Sequence, residues 1–152
     1  ENIINSNYFV EQFSVFKKYP SSIIVNIKKI KFLARVNKNG KYYFFGSNGK
    51  FIYMNTKSDD LPLVFGNFKN QDFFDFKTTL DNSNFDYGKI KYLYFFSSRR
   101  WDIELRSGII IKLPSKNLKE SIHLALNILE NDKFNEIKII DLRQNKQVVI
   151  NG

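Results

Sequence analysis

Residues 97–114, SSRRWDIELRSGIIIKLP, alternate apolar and polar positions on both sides of a glycine turn. Trp101, Ile103 and Leu105 alternate with Asp102, Glu104 and Arg106, and beyond the turn Ile109, Ile111 and Leu113 keep the same period. A period of two marks a strand with one packed face. A two-residue loop at Ser107-Gly108 would pair Glu104 with Ile111 and mix the faces. A three-residue loop, Arg106-Ser107-Gly108, pairs Leu105 with Ile109, Ile103 with Ile111 and Trp101 with Leu113. It also sets Asp102 opposite Lys112 on the other face. The third loop position then needs left-handed backbone, which glycine adopts without steric penalty. The pattern predicts a hairpin, 101–105 with 109–113, in which Asp102 and Glu104 form a charged solvent face.

The same reading extends along the chain. FSVFKKYPSSIIVNIKK (13–29) is an apolar run, a turn at Tyr19-Pro20-Ser21-Ser22, then alternation at Ile23, Val25 and Ile27, which predicts two antiparallel strands. Asn39-Gly40 and Asn48-Gly49 are turn dipeptides between β-prone runs, and LPLVFG (61–66) is a further short strand. The period then changes: Phe73, Phe76, Lys77 and Leu80 fall at helical spacing. A second helix is predicted over 117–129, with Leu118, Ile122, Ala125, Leu126 and Leu129 as its stripe. Asn117 with Glu120 has the form of a capping box, and Ser115 is a competing cap. Leu118, Ile122, Leu126 and Leu129 are expected to be buried against the apolar face of the hairpin. EIKIIDLRQNKQVVING (136–152) reads as two strands around a polar turn at Gln144-Asn145-Lys146. The fold class is therefore α+β, a mostly antiparallel sheet with two helices.

Composition narrows the function. At 152 residues and 43% hydrophobic content the chain can bury a core, and no apolar run is long enough to span a bilayer as a helix. The chain as given is expected to be soluble; beginning at Glu1, it is expected to have lost an upstream anchor. Without cysteine there is no disulfide framework or thiolate metal site. The net charge of +9 invites a nucleic-acid reading, but only five of the 24 basic residues are arginine. Heavy joint use of Lys, Asn, Ile and Phe points to coding bias rather than a selected binding surface. A positive field still suits an anionic membrane surface or an acidic partner.

Catalytic candidates are few. His123, the only histidine, lies away from the apolar stripe and lacks companion ligands at metal spacing. Asp102 and Glu104 share a strand face, which would suit an acid–base pair, but a charged solvent face explains them as well. Asp59-Asp60 sits in a turn-rich loop, and the glycines form no phosphate-binding pattern. The expectation is a binding module with no enzymatic activity, no cofactor and no metal. Trp101 reads as a core aromatic, whereas Arg99 and Arg100 carry the rigid multi-donor geometry suited to carboxylates.

SSRRWDIELRSGIIIKLP, a leucine-rich helix and IKIIDLRQNKQVVI together resemble the C-terminal part of the FtsQ/DivIB cell-division proteins, those of alphaproteobacteria best. VFKKYPSSIIVNIKK is similar to the turn and strand that close that family's POTRA domain, and FLARV followed by GSNGKFI to the start of its β domain. Departures exist: Lys29 and Phe32 stand where the family usually carries a glutamate and a proline, and Gln144 where some members carry an aromatic. The resemblance implies the end of a POTRA domain at 1–33 and a β domain at 34–152. It further implies a non-catalytic divisome scaffold of the inner membrane. The scaffold would be single-pass, with this region in the periplasm, concentrated at the division septum. Its partners would be FtsB and FtsL, captured through a C-terminal edge strand to help recruit and regulate septal peptidoglycan synthesis. The partner-binding residues so implied are Arg99, Arg143, Gln144, Lys146, Gln147, Val148, Val149 and Ile150. Two other readings remain: a different periplasmic POTRA-type assembly or chaperone module, and a basic nucleic-acid-binding domain. The second would need exposed rings at Tyr42, Phe44 and Tyr92.

Overall fold

The computed structural model describes residues 9–55, 59–131, 136–144 and 149–151. The chain forms two compact units, residues 1–57 and 58–152.

In the first unit β1 (Val10–Lys18) and β2 (Ser22–Lys29) pair antiparallel, with Val15 opposite Val25, as the alternation predicts. A meander follows: β3 (Phe32–Lys38), β4 (Lys41–Gly46) and β5 (Phe51–Tyr53). The β3–β4 turn is Asn39-Gly40 with φ of 53° and 78°, the double left-handed turn that Asn-Gly favours. Ala34, Val36, Phe44, Phe45 and Ile52 form this unit's core. The base of the β1–β2 hairpin is fixed to the β4–β5 turn. Glu11 accepts hydrogen bonds from Lys28 Nζ (2.8 Å) and the Ser47 hydroxyl (2.9 Å), and Ser47 N–H donates to the Lys31 carbonyl. Those two partners lower the pKa of Glu11.

The second unit runs β6 (Leu63–Phe65), α1 (Asn70–Asp81), β7 (Ile90–Phe95), β8 (Trp101–Leu105), β9 (Ile110–Lys112), α2 (Leu118–Leu129), β10 (Ile139–Asp141) and β11 (Val149–Asn151). Its strands lie in the order β11-β10-β9-β8-β7-β6. The β8–β9 hairpin has the predicted register, Ile103 opposite Ile111 and Asp102 opposite Lys112, with Gly108 at φ +91°. The sheet is mixed: β6 pairs parallel with β7 and β9 with β10, each pair joined by a crossover helix. Because β9 runs in the same direction as β7, right-handed crossovers place both helices on one face. The helices accordingly touch each other.

Register explains the core. One rung crosses the sheet as Val64–Leu93–Ile103–Ile111–Ile140–Ile150, and its first five side chains are fully or almost fully buried. On that face Trp101 stacks on Phe76 of α1 at 4.7 Å and also packs against Phe95, Phe73 and Phe68. Phe73, Phe76 and Leu80 are buried, as the α1 periodicity predicts. The next rung faces the other way: Phe65–Tyr94–Asp102–Lys112–Asp141–Val149.

Three expectations need correction. The buried face of α2 is Ile122, Ala125 and Ile128, while Leu118, Leu126 and Leu129 are only half-buried at its margins. The buried stripe is rotated towards Ile128, which the predicted stripe left out, and away from Leu126. The capping box does not form: Asn117 is the N-cap but adopts left-handed backbone (φ 56°) in place of the extended backbone of a capping residue, and its side chain makes no cap hydrogen bond. Asp102 is buried rather than solvated, at 5% exposure, although it sits on the outward rung. Ile122→Ala should therefore cost about 2–5 kcal/mol in a urea titration and Leu126→Ala less than half as much. Equal losses would show that the half-buried margin carries as much packing as the centre.

Candidate partner interface

The outward rung places alternating charges on neighbouring strands, Asp102 on β8, Lys112 on β9 and Asp141 on β10, and it ends at Val149 on β11. Two arginines close over it. The Arg100 guanidinium lies 4.0 Å from the centre of the Phe96 ring, with its Nε 3.5 Å from Asp102 Oδ1. Arg143 Nε donates to Asp141 Oδ1 at 2.8 Å and Oδ2 at 3.0 Å, and Arg143 N–H donates to the same carboxylate at 3.1 Å. Such bidentate geometry fixes the guanidinium plane.

The carboxylates differ because their surroundings differ. Burial pushes the pKa of Asp102 up, against the opposing pull of Arg100, Arg143 and Lys112. The hydrogen bond from Arg143 holds Asp141 below the usual carboxylate range. Tyr94 on the same rung donates its hydroxyl to Glu104 at 2.8 Å, and burial together with that bond pushes the phenol up to about 12. The charged solvent face expected of Asp102 and Glu104 is thus a hydrogen-bonded cluster. For Asp102 the sign follows from its raised pKa: ionised, it costs the fold stability above that pKa, and the cost disappears as pH falls through it. Asp102→Asn should therefore be at least as stable as the native chain at pH near 7, with the difference closing near pH 4. Urea titrations at the two values check this, and a marked loss at neutral pH would make the Arg100 contact the dominant effect.

Arg100, Arg143 and Lys116, with Ser98, Pro114 and Ser115, line an open cavity of about 360 Å³ at the ends of β9 and β10. Its lining holds three cations and no acid; Asp102 and Asp141 pair with its two arginines without lining it. A carboxylate-bearing segment fits such a site. Among the described residues β11 ends the strand order, so its outer side offers backbone groups to an added strand.

The sequence-derived residues separate. Arg143 lies in the cavity and Val149 on the exposed edge strand, with Ile150 beside it in the backbone ladder. Gln144 is exposed at the bend after Arg143. Lys146, Gln147 and Val148 lie outside the described residues. Arg99 points elsewhere: at φ 60° it turns towards α1, where its Nη2 donates to Asp72 Oδ1 at 2.7 Å. It lines a second cavity of about 420 Å³ with Asp72, Phe76 and Trp101. Arg100 is the arginine that joins Arg143. Sequence reasoning also missed Lys116 and Asp141; the latter stands in the IDLR run two residues before Arg143, a usable signal for a same-side contact in an extended segment. Of the rings that a nucleic-acid platform would need, Phe44 is buried, Tyr92 half-buried and Tyr42 exposed.

Residues 34–143 match the family model described as the C-terminal part of the cell division protein FtsQ/DivIB, most of this chain. The chain belongs to the FtsQ/DivIB family. Among curated relatives, FtsQ of Bradyrhizobium diazoefficiens is 22% identical over 97% of this chain and 44% of its own length. FtsQ of Rhizobium radiobacter is 24% identical over 93% of this chain and 70% of its own. FtsQ of Agrobacterium fabrum is also 24% identical, over 93% of this chain and 46% of its own. This FtsQ/DivIB chain thus spans less than half the length of two of these relatives. A solved structure, the major extracytoplasmic domain of the trans isomer of the cell division protein DivIB from Geobacillus stearothermophilus, aligns with a TM-score of 0.47. The identity is 12%, over 62% of this chain and 87% of that one. Membership assigns the chain to cell division. No helix among the described residues is long and apolar enough to cross a membrane.

Proposed function

We propose that this chain is the scaffold region of a divisome protein that captures the FtsB–FtsL pair, doing no chemistry of its own. It adds an FtsB strand to the outer side of β11 and receives a partner carboxylate in the Arg100–Arg143–Lys116 cavity. The carrying observation is that juxtaposition: an edge strand at the end of the sheet order beside three cations, two of them, Arg100 and Arg143, paired with Asp102 and Asp141. Backbone pairing gives affinity and the cations give register and partner choice. In this reading residues 1–33 close a POTRA domain and 34–152 form the β domain. The protein is anchored in the inner membrane by a single helix outside this chain, with this region in the periplasm at the septum. There it helps recruit and regulate peptidoglycan synthesis.

Calorimetric titration with a soluble FtsB segment tests the reading. Arg143→Glu reverses a charge in the cavity and should weaken binding by roughly tenfold to 100-fold, within the range of close interfacial charge pairs. Native affinity should fall as salt rises. Salt-independent binding, unaltered in Arg143→Glu, would remove the cavity from the interface.

A further inference from the structure

Arg143 is held at two points by one side chain. β10 ends at Asp141, and Leu142 beyond it is buried, its N–H donating to the Lys112 carbonyl at 2.9 Å. That bond keeps the chain beside β9 for one residue past the strand, so Asp141 and Arg143 come up on the same side. The Asp141 carboxylate then accepts from both the backbone and the side chain of Arg143. The backbone N–H donates to Oδ1 at 3.1 Å, closing the local turn that aspartate favours. The guanidinium approaches side-on, its Nε donating to both oxygens and its Nη2 to Oδ2. These bonds hold Asp141 below the usual carboxylate range, so the tether stays ionised wherever a partner carboxylate is ionised. Access differs between the two side chains: Asp141 is 17% exposed and Arg143 40%. The side-on contact uses Nε and one hydrogen of Nη2, which leaves both hydrogens of Nη1 and the outer one of Nη2. Arg143 lines the cavity and Asp141 does not.

We propose that Asp141 is a positioning residue for partner capture, and that Arg143 bridges two carboxylates, Asp141 side-on and a partner glutamate or aspartate end-on. The inference rests on the partner reading above. Only a planar guanidinium offers two such edges at once; a lysine ammonium has no second edge in a fixed plane. An arginine fixed only on binding gives up its rotamer freedom at that moment, whereas Arg143 has already given it up on folding. Charge alone predicts the opposite sign. Asp141 sets a negative charge beside a site for an acid, so on that basis removing it should tighten binding. On the positioning account, removing it should weaken binding.

Calorimetric titration of the 152-residue chain with a soluble FtsB segment reads the sign. Asp141→Asn keeps an oxygen for the Arg143 N–H, so the local turn stays, but it loses the charge and the paired acceptor. Affinity should fall about twofold to tenfold, the range for one freed rotamer-rich side chain. In an Arg143→Ala background the same substitution should no longer weaken binding, because Asp141 acts through that guanidinium. Arg143→Lys, at an exposed position and with the charge kept, should weaken binding about as much as Asp141→Asn. Unchanged circular dichroism confirms the fold of each variant. Unchanged or tighter binding by Asp141→Asn, or native affinity in Arg143→Lys, would overturn the proposal and leave strand addition at β11 standing. A loss that persists in the Arg143→Ala background would make the role of Asp141 merely structural and overturn it too. A native chain that does not bind the segment would overturn both this inference and the reading it rests on.

Discussion

Ile150→Pro is expected to block capture of a soluble FtsB segment while leaving the domain folded. The Asn151 carbonyl accepts the Lys138 N–H at 2.8 Å, so the polar backbone groups of residue 151 face β10. Those of successive strand residues alternate in direction, so the N–H and carbonyl of Ile150 face the open side. Proline there removes the donor that an added strand would use and fills its space with a ring, without breaking a bond to β10. Leaving a partner carbonyl unpaired costs about 1–3 kcal/mol, and the steric block adds to it, so affinity should fall by well over about tenfold. Val149→Pro would act on the inner side and loosen the β10–β11 ladder instead. Retained affinity in folded Ile150→Pro would place the partner elsewhere.

Trp101→Ala should have the largest effect on stability. The indole is almost wholly buried and touches four phenylalanines from β7, α1 and the segment before α1. No rearrangement of the rigid sheet can fill the space it leaves, so a loss of about 3–5 kcal/mol is expected in a urea titration. The next residue but one from Arg99 and the neighbour of Arg100, Trp101 also sets where both arginines start. Its removal should therefore weaken partner binding even in the fraction that remains folded. A loss below about 1 kcal/mol would mean the aromatic cluster repacks around the gap.

The sequence made the β8–β9 register legible because one glycine allowed only one loop length that kept Trp101, Ile103 and Leu105 on a single face. It made α1 legible because Phe73, Phe76 and Leu80 have no other period in common. Strand order was not legible. That β9 and β10 run parallel follows from the α2 crossover, and no local pattern in three-residue strands announces it. Asp102 shows the consequence. Its outward position could be read from alternation, but its burial comes from Tyr94, Lys112 and Arg100, which reach it across strands and through the turn. The choice between Arg99 and Arg100 was hidden for a similar reason: left-handed backbone at Arg99 interrupts the alternation and sends the two side chains apart. Likewise Asn117 has the right chemistry for a helix cap and the wrong backbone to use it.

Strand addition at β11 can be tested at the level of single backbone groups. Amide hydrogen exchange, followed residue by residue with and without a saturating soluble FtsB segment, reports which N–H groups the partner covers. Strong new protection of the Ile150 N–H is expected, with little change at Val149 and Asn151, whose N–H groups already face β10. An Ile150 amide that exchanges equally fast in the free and bound protein would contradict strand addition at this edge.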